Sequence, residues 1–184
     1  SRDVGEAICR LAGLKRVTME LGSNCPLIVM SDADLEKAAA ATAATGYVNA
    51  GQVCISTQRV LVQGHVYGDF LDALTPLVGA IPTGDPLDEG VKMGPMIRTA
   101  DAERVSSWIG QAVAGGARVA VGGERSGNLH QPTVVADVAP GMRISCDELF
   151  GPAVAVTRFD DIEEAIALAN DTRYGLAAGI FTEN

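Results

Sequence analysis

Pro26-Leu27-Ile28-Val29-Met30 runs without a polar residue straight into Ser31-Asp32-Ala33-Asp34. A short, unbroken apolar run is the pattern of a strand buried on both faces, as in a parallel sheet. A strand with one wet face would alternate instead. Serine and aspartate side chains accept hydrogen bonds from the free amides of a first helical turn. An alanine-rich stretch follows to about Asn49, and Gly51 is placed to break a helix there. The junction therefore predicts a buried strand that feeds a helix.

The same alternation continues on both sides. Ala7, Ile8, Leu11, Ala12 and Leu14 fall near helical spacing and predict a helix over 5–14. Residues 16–21 read as a strand ending at Gly22, 57–63 as a strand and 66–78 as a helix. Asp101 begins another helix, closed near Gly115 and Gly116, and 118–121 is a short strand. Strands over 132–138, 153–159 and 176–181 and a helix over 161–170 complete the pattern. Residues 82–90 and 122–127 carry turn chemistry and read as loops. Strands alternating with helices of this length predict an α/β fold on a mostly parallel sheet, joined by right-handed βαβ units.

Composition narrows the function. The 184 residues are 47% hydrophobic but only 4% aromatic, so the core is built from small aliphatic side chains. A net charge of -9 repels phosphate backbones and anionic membrane surfaces, which argues against nucleic acid as a partner. No apolar stretch approaches the roughly 20 residues of a membrane span, and no export signal opens the chain. Cys9, Cys25, Cys54 and Cys146 contain no C-x-x-C pair and read as reduced thiols of a cytoplasmic protein. His65 and His130 stand far apart without ligand-like neighbours, so no metal site is expected. Both termini read as cut rather than frayed.

Four places carry possible chemistry. Cys54 follows a helix end beside Gly51, where a thiol reaches a cleft, although cysteine is also among the most buried residue types. Glu20, read as ending a strand, is placed for a general base, because ligands of parallel sheets lie beyond the carboxyl ends of strands. It is equally placed for a solvated strand-end carboxylate. Glu148-Leu149-Phe150-Gly151-Pro152 sets an acid and an aromatic ring beside a turn, suited to a sugar hydroxyl and a flat ring or to simple packing. Ser1-Arg2-Asp3-Val4-Gly5 enters a helix N-terminus, a common phosphate site. Arg59, on a strand close after Cys54, reads as a partner in a structural ion pair.

Taken together, these runs resemble one family. Glu20-Leu21-Gly22, Gly51-Gln52-Val53-Cys54 and Glu148-Leu149-Phe150-Gly151-Pro152 are similar, in order and in spacing, to the NAD(P)-dependent aldehyde dehydrogenase superfamily. Gly84-Asp85-Pro86, Met93-Gly94-Pro95, Gly122-Gly123 and Tyr174-Gly175-Leu176 add to the likeness, which covers essentially the whole chain.

The resemblance implies a three-layer sandwich, the catalytic domain of that fold. It also implies oxidation of a small aldehyde to an acid with NAD or NADP. Cys54 is then the nucleophile and Glu20 the general base, activating the thiol and later the water that hydrolyses a thioester. Glu148 holds the nicotinamide ribose, with Phe150 beside the nicotinamide. Leu21 and Gly22 line the nicotinamide side of the pocket, and Ser1 belongs to the turn under the pyrophosphate. Ser23-Asn24 stand where relatives commonly carry Gly-Lys, which bears on cofactor preference. Residues 1–184 are expected to be the thiol-bearing portion of a longer protein, a homodimer or homotetramer. An N-terminal dinucleotide-binding region, with a second oxyanion donor, and a C-terminal segment would lie outside them. Coenzyme A-acylating or thioesterase chemistry at Cys54, and a non-catalytic protein on the same fold, are the competing readings.

Overall fold

The computed structural model describes residues 2–184. Helix α1 (Arg2–Ala12) opens the chain, followed by β1 (Pro26–Val29), α2 (Leu35–Gly46) and β2 (Arg59–Gln63). Helices α3 (Tyr67–Gly79) and α4 (Thr99–Ala114) come next, and then β3 (Arg118–Val121). Two short strands, β4 (Arg125–Ser126) and β5 (Leu129–His130), precede β6 (Thr133–Ala136) and the single turn α5 (Arg143–Cys146). The order ends with β7 (Ala153–Phe159), α6 (Ile162–Asn170) and β8 (Gly179–Phe181).

Six strands form one sheet in the order β3-β6-β7-β2-β1-β8. Every neighbouring pair is parallel except β3 with β6 at one edge. The expected α/β architecture on a mostly parallel sheet is therefore present. Side chains alternate across it, as the pleat requires. Val60 and Val62 join the large cluster built with Phe70 and Leu74 of α3 and Val105 and Trp108 of α4. Leu61, between them, packs with Ile28, Phe159 and Ala165 of α6 in a second cluster. Helices thus cover both faces, which is why the run 26–30 needed no polar alternation. Asp34 caps α2 by accepting from the Lys37 amide at 3.0 Å, and Asp161 caps α6 by accepting from the Glu164 amide at 2.9 Å.

Several expectations are corrected. Residues 16–21 form no strand, because no neighbouring backbone among the described residues pairs with them. Their alternation specifies a strand's faces but not its partner. The helix expected to about Asn49 stops at Gly46, and the last strand is only Gly179–Phe181. The loop over 122–127 contains half of the β4–β5 hairpin. Arg59 is structural but forms no ion pair among the described residues. Its guanidinium donates to the Asn24 carbonyl at 3.0 Å and to the Leu168 and Ala169 carbonyls at 2.9 Å each. It therefore ties the start of β2 to the last turn of α6, where a cation also meets the negative end of the helix dipole. Among the described residues no helix is long and apolar enough to cross a membrane.

Two tyrosines tie helices to the sheet and set an alkaline limit on stability. The buried Tyr47 hydroxyl donates to the Thr133 carbonyl at 2.9 Å, and burial raises its pKa well above the ordinary value. The Tyr67 hydroxyl accepts from the Asp137 amide at 2.7 Å and donates to the Val156 carbonyl at 3.4 Å. Burial pushes Tyr67 up to about 12. Both protons are held more tightly in the folded state than in the unfolded chain, where tyrosine titrates near ~10. Their contribution is complete below pH ~10 and is lost as pH rises towards each folded pKa. Urea midpoints are expected to fall from pH ~10 to pH ~12, and Tyr67→Phe to shrink the pH slope by about one proton. Identical slopes for the variant and the parent would contradict this account.

Candidate active site

The three segments singled out by sequence enter the sheet side by side. Residues 20–25 lead into β1, Cys54 precedes β2, and the run 148–152 leads into β7. These strands are adjacent and parallel, in the order β7-β2-β1, so the three leaders share one edge. That edge is the amino-terminal one. The placing of Glu20 at the carboxyl end of a strand is corrected: among the described residues it lies in the irregular chain that leads into the amino end of β1. At the carboxyl edge, β1 and β2 hand over to α2 and α3, whereas the amino edge is where chain arrives in long irregular approaches.

The Cys54 approach is an unusual turn. Asn49, Ala50 and Gly51 occupy the left-handed region in succession, at φ 52°, 55° and 68°. Asparagine tolerates this region and alanine does not favour it. Side chains hold the turn from both ends. The Asn49 Nδ2 donates to the Gln52 carbonyl at 3.2 Å, and the Gln52 Nε2 donates back to the Asn49 carbonyl at 3.0 Å. The Gln52 Oε1 also accepts from the Ile97 amide at 3.1 Å. Beyond the cysteine, the Ser56 hydroxyl donates to the carbonyls of Thr45 and Gly46, anchoring the exit to the end of α2. Cys54 itself is half-buried, in no disulfide, and makes no hydrogen bond among the described residues. Cys25 contrasts with it: that thiol is buried, donates to the Ala177 carbonyl at 3.3 Å, and burial pushes its pKa up.

Close backbone approach joins this turn to the next loop. A Cβ added at Gly51 would lie 2.1 Å from the Gly151 carbonyl oxygen, closer than any side chain allows. Gly22 repeats the device, for a Cβ there would lie 2.3 Å from the Glu148 Oε2. The other carboxylate oxygen, Oε1, accepts from the Ser23 amide at 2.9 Å. Phe150 adopts φ 47° and leaves 39% of its surface exposed. Between these groups lies a cavity of ≈ 10 Å³, lined in part by Ser23, Gly51, Val53, Glu148 and Phe150.

Cys54, Gly22, Glu148 and Phe150 thus stand on one edge. Leu21 lies beside them but leans the other way, against Gly5 of α1. Glu20 is exposed and makes no side-chain hydrogen bond or ion pair among the described residues. Ser1 lies outside the described residues. No group of three or more metal-ligating side chains occurs among the described residues. Sequence reasoning missed the supports. Gln52 lay inside a quoted motif, but Gln58, which stands between Thr57 and Arg59, gave no local signal. Arg104 on α4, which donates to the Leu149 carbonyl, gave none either.

The model of the aldehyde dehydrogenase family matches residues 1–184. The 3-sulfolactaldehyde dehydrogenase of Priestia aryabhattai is 45% identical over 181 residues, covering 98% of this chain and 38% of that protein. An NAD-dependent aldehyde dehydrogenase from Sinorhizobium meliloti superposes with a TM-score of 0.94 at 41% identity, over 100% of this chain and 38% of its own. A glyceraldehyde-3-phosphate dehydrogenase from Methanocaldococcus jannaschii, complexed with NADP, gives 0.95 at 36% identity, over 100% and 40%. The chain therefore spans less than half the length of the proteins it matches.

Gly51→Ala tests the backbone contact directly. The new methyl meets main chain rather than a movable side chain, at a left-handed φ that itself disfavours alanine by about 1 kcal/mol. The variant is expected to lose at least about 2 kcal/mol in urea unfolding and to alter the iodoacetamide reactivity of Cys54. A wild-type unfolding curve together with wild-type alkylation would show that the two loops do not meet as described.

Proposed function

This chain belongs to the aldehyde dehydrogenase family, and on that premise we propose that it supplies the reactive thiol, the base and part of the cofactor wall of an enzyme oxidising an aldehyde to a carboxylic acid with NAD or NADP. The observation that carries the reading is the meeting of the Cys54 turn with the 148–152 loop through Gly51 and Gly151. A thiol, a carboxylate and an exposed aromatic ring then face one edge in a fixed relation.

The edge fits a nicotinamide dinucleotide. Gly22 leaves room beside Glu148 that a Cβ would fill. With Oε1 engaged by the Ser23 amide, Oε2 is left to accept a ribose hydroxyl. Phe150 offers a ring face and Gly22 the space beside it, while Leu21, whose side chain turns towards Gly5, is proposed to border that side of the pocket through its backbone. Ser1 is proposed for the pyrophosphate turn. The nicotinamide, when bound, accepts the hydride that the aldehyde carbon gives up.

The chain's own groups then have definite tasks. Cys54 reacts as thiolate, since the thiol is a poor nucleophile. Glu20 takes its proton. The Cys54 sulfur bonds to the aldehyde carbon, and the carbonyl oxygen becomes an oxyanion facing the Cys54 backbone amide. Loss of hydride leaves a thioester on Cys54. Glu20 next takes a proton from water, the hydroxide attacks the thioester carbon, and the acid leaves as the thiolate is restored. A carboxylate without a fixed partner suits a base that serves two different protons.

The chain is proposed to work inside a longer, cytoplasmic, homodimeric or homotetrameric protein. Leu11 and Leu14, 87% and 107% exposed, and the unpaired segment 16–21 support a further segment packing there.

In the complete protein, Glu20→Gln is expected to give a burst of NADH or NADPH and then stall. Steady-state turnover should fall about 10²–10⁴-fold, with an acyl adduct on Cys54 visible by mass spectrometry. Cys54→Ser should abolish both burst and adduct. Undiminished steady turnover by Glu20→Gln would remove Glu20 from the mechanism. Residues 1–184 alone are expected to give no sustained reduction of NAD or NADP with a panel of aldehydes, and sustained turnover would refute that division.

A further inference from the structure

Gln58 stands immediately before β2, only 6% exposed, and among the described residues its side-chain amide bonds to backbone of α5 and of the loop that follows it. Its Oε1 accepts from the Leu149 amide at 2.7 Å. Its Nε2 donates to the Asp147 carbonyl at 2.7 Å and to the Ile144 carbonyl at 3.2 Å. The Gln58 main chain is equally engaged. Its amide donates to the Cys25 carbonyl at 3.3 Å, and its carbonyl accepts from the Ala155 amide at 2.8 Å. One residue therefore ties together the leader of β1, the leader of β2, strand β7 and the loop that presents Glu148 and Phe150.

We propose that Gln58 is a positioning residue, which fixes the height and tilt of the 144–149 backbone and thereby sets Glu148 and Phe150 against the Cys54 turn. The inference rests on the cofactor role proposed above for those two residues. The chemistry of the side chain is what the place demands. Two donors and one acceptor are needed within one planar group, to meet two carbonyls and one amide. Leu149, whose amide and carbonyl are both taken, lies between the two residues that face the cofactor. A shift of its peptide therefore moves both. A carboxylate at position 58 keeps the acceptor but turns oxygen towards the Asp147 and Ile144 carbonyls. Methionine keeps the length and supplies no hydrogen bond. The Cys54 turn, by contrast, is held by Asn49, Gln52 and Ser56 and does not depend on this amide.

The test uses the complete protein carrying Gln58→Met, with Gln58→Glu giving the same comparison should the first variant not melt cooperatively. Dissociation constants for NADH and NADPH are read by fluorescence titration, protection of the Leu149 amide by hydrogen exchange, and Cys54 reactivity by iodoacetamide without cofactor. The expected result is cofactor affinity about tenfold weaker, as the loss of one or two buried hydrogen bonds implies. Leu149 protection should fall by a similar factor, while Cys54 alkylation stays within about twofold. Affinity and protection equal to the parent's would overturn the proposal, as would a parallel change of alkylation and affinity, the mark of general loosening. If the parent binds neither dinucleotide, the cofactor role of Glu148 and Phe150 fails. Leu149 protection then decides on its own whether Gln58 holds the loop.

Discussion

Parallel pairing of β7, β2 and β1 brings three incoming segments to one edge, but adjacency alone leaves them a strand spacing apart. A site forms between them only where two main chains come closer than side chains permit. Gly51 against the Gly151 carbonyl is that place, and Gly22 against Glu148 is its counterpart on the other flank. The contact brings the turn that carries Cys54 against the Phe150 loop and leaves a small cavity lined by Gly51, Val53, Glu148 and Phe150. It also explains why Gly51 is more than a helix breaker. Its left-handed backbone ends the turn, and its missing Cβ admits the neighbouring loop.

The turn that delivers Cys54 is unfavourable by itself. Ala50 in a left-handed conformation costs about 1–2 kcal/mol, and it lies in the interior without a polar group to compensate. The reciprocal bonds between Asn49 and Gln52, and the bond from the Ile97 amide, each return about 1 kcal/mol. Together these bonds offset the cost of the left-handed Ala50, so the turn is held by its own side chains and by Ser56 at the end of α2. Strain held in this way is a common property of reactive turns. Rigidity here belongs to the thiol's approach and to the Glu148 approach, which Gln58, Ser23 and Arg104 fasten by their hydrogen bonds.

The elements legible in the sequence were those whose cause is local. The run 26–30 announced β1, the run 31–34 announced the start of α2, and β7 fell on its predicted residues 153–159. Residues 16–21 misled because alternation describes a strand's faces and says nothing of a partner backbone. Glu20 was therefore put at the end of a strand that is absent among the described residues, although its segment leads into the amino end of β1. The site residues came from resemblance rather than from spacing. Gln58 stayed hidden because the three groups it bonds lie about 90 residues away in the chain. A buried polar side chain must find partners, but its own segment does not name them.

On the proposed mechanism, the contrast between Glu20 and its neighbours has a physical sense. Cys54 and Glu148 each act at one point, and each approach is pinned by several hydrogen bonds. Glu20 must meet the thiol proton first and a water proton later, at different positions. Its segment is held on one side by Leu21 against Gly5 of α1 and on the other by Gly22 and Ser23 against Glu148. The carboxylate between these anchors has no partner among the described residues. A tight ion pair there would hold it in one place, away from one of the two protons. In the proposed mechanism a carboxylate without a fixed partner suits two proton transfers at different positions, while the approaches of Cys54 and Glu148 are each pinned by hydrogen bonds.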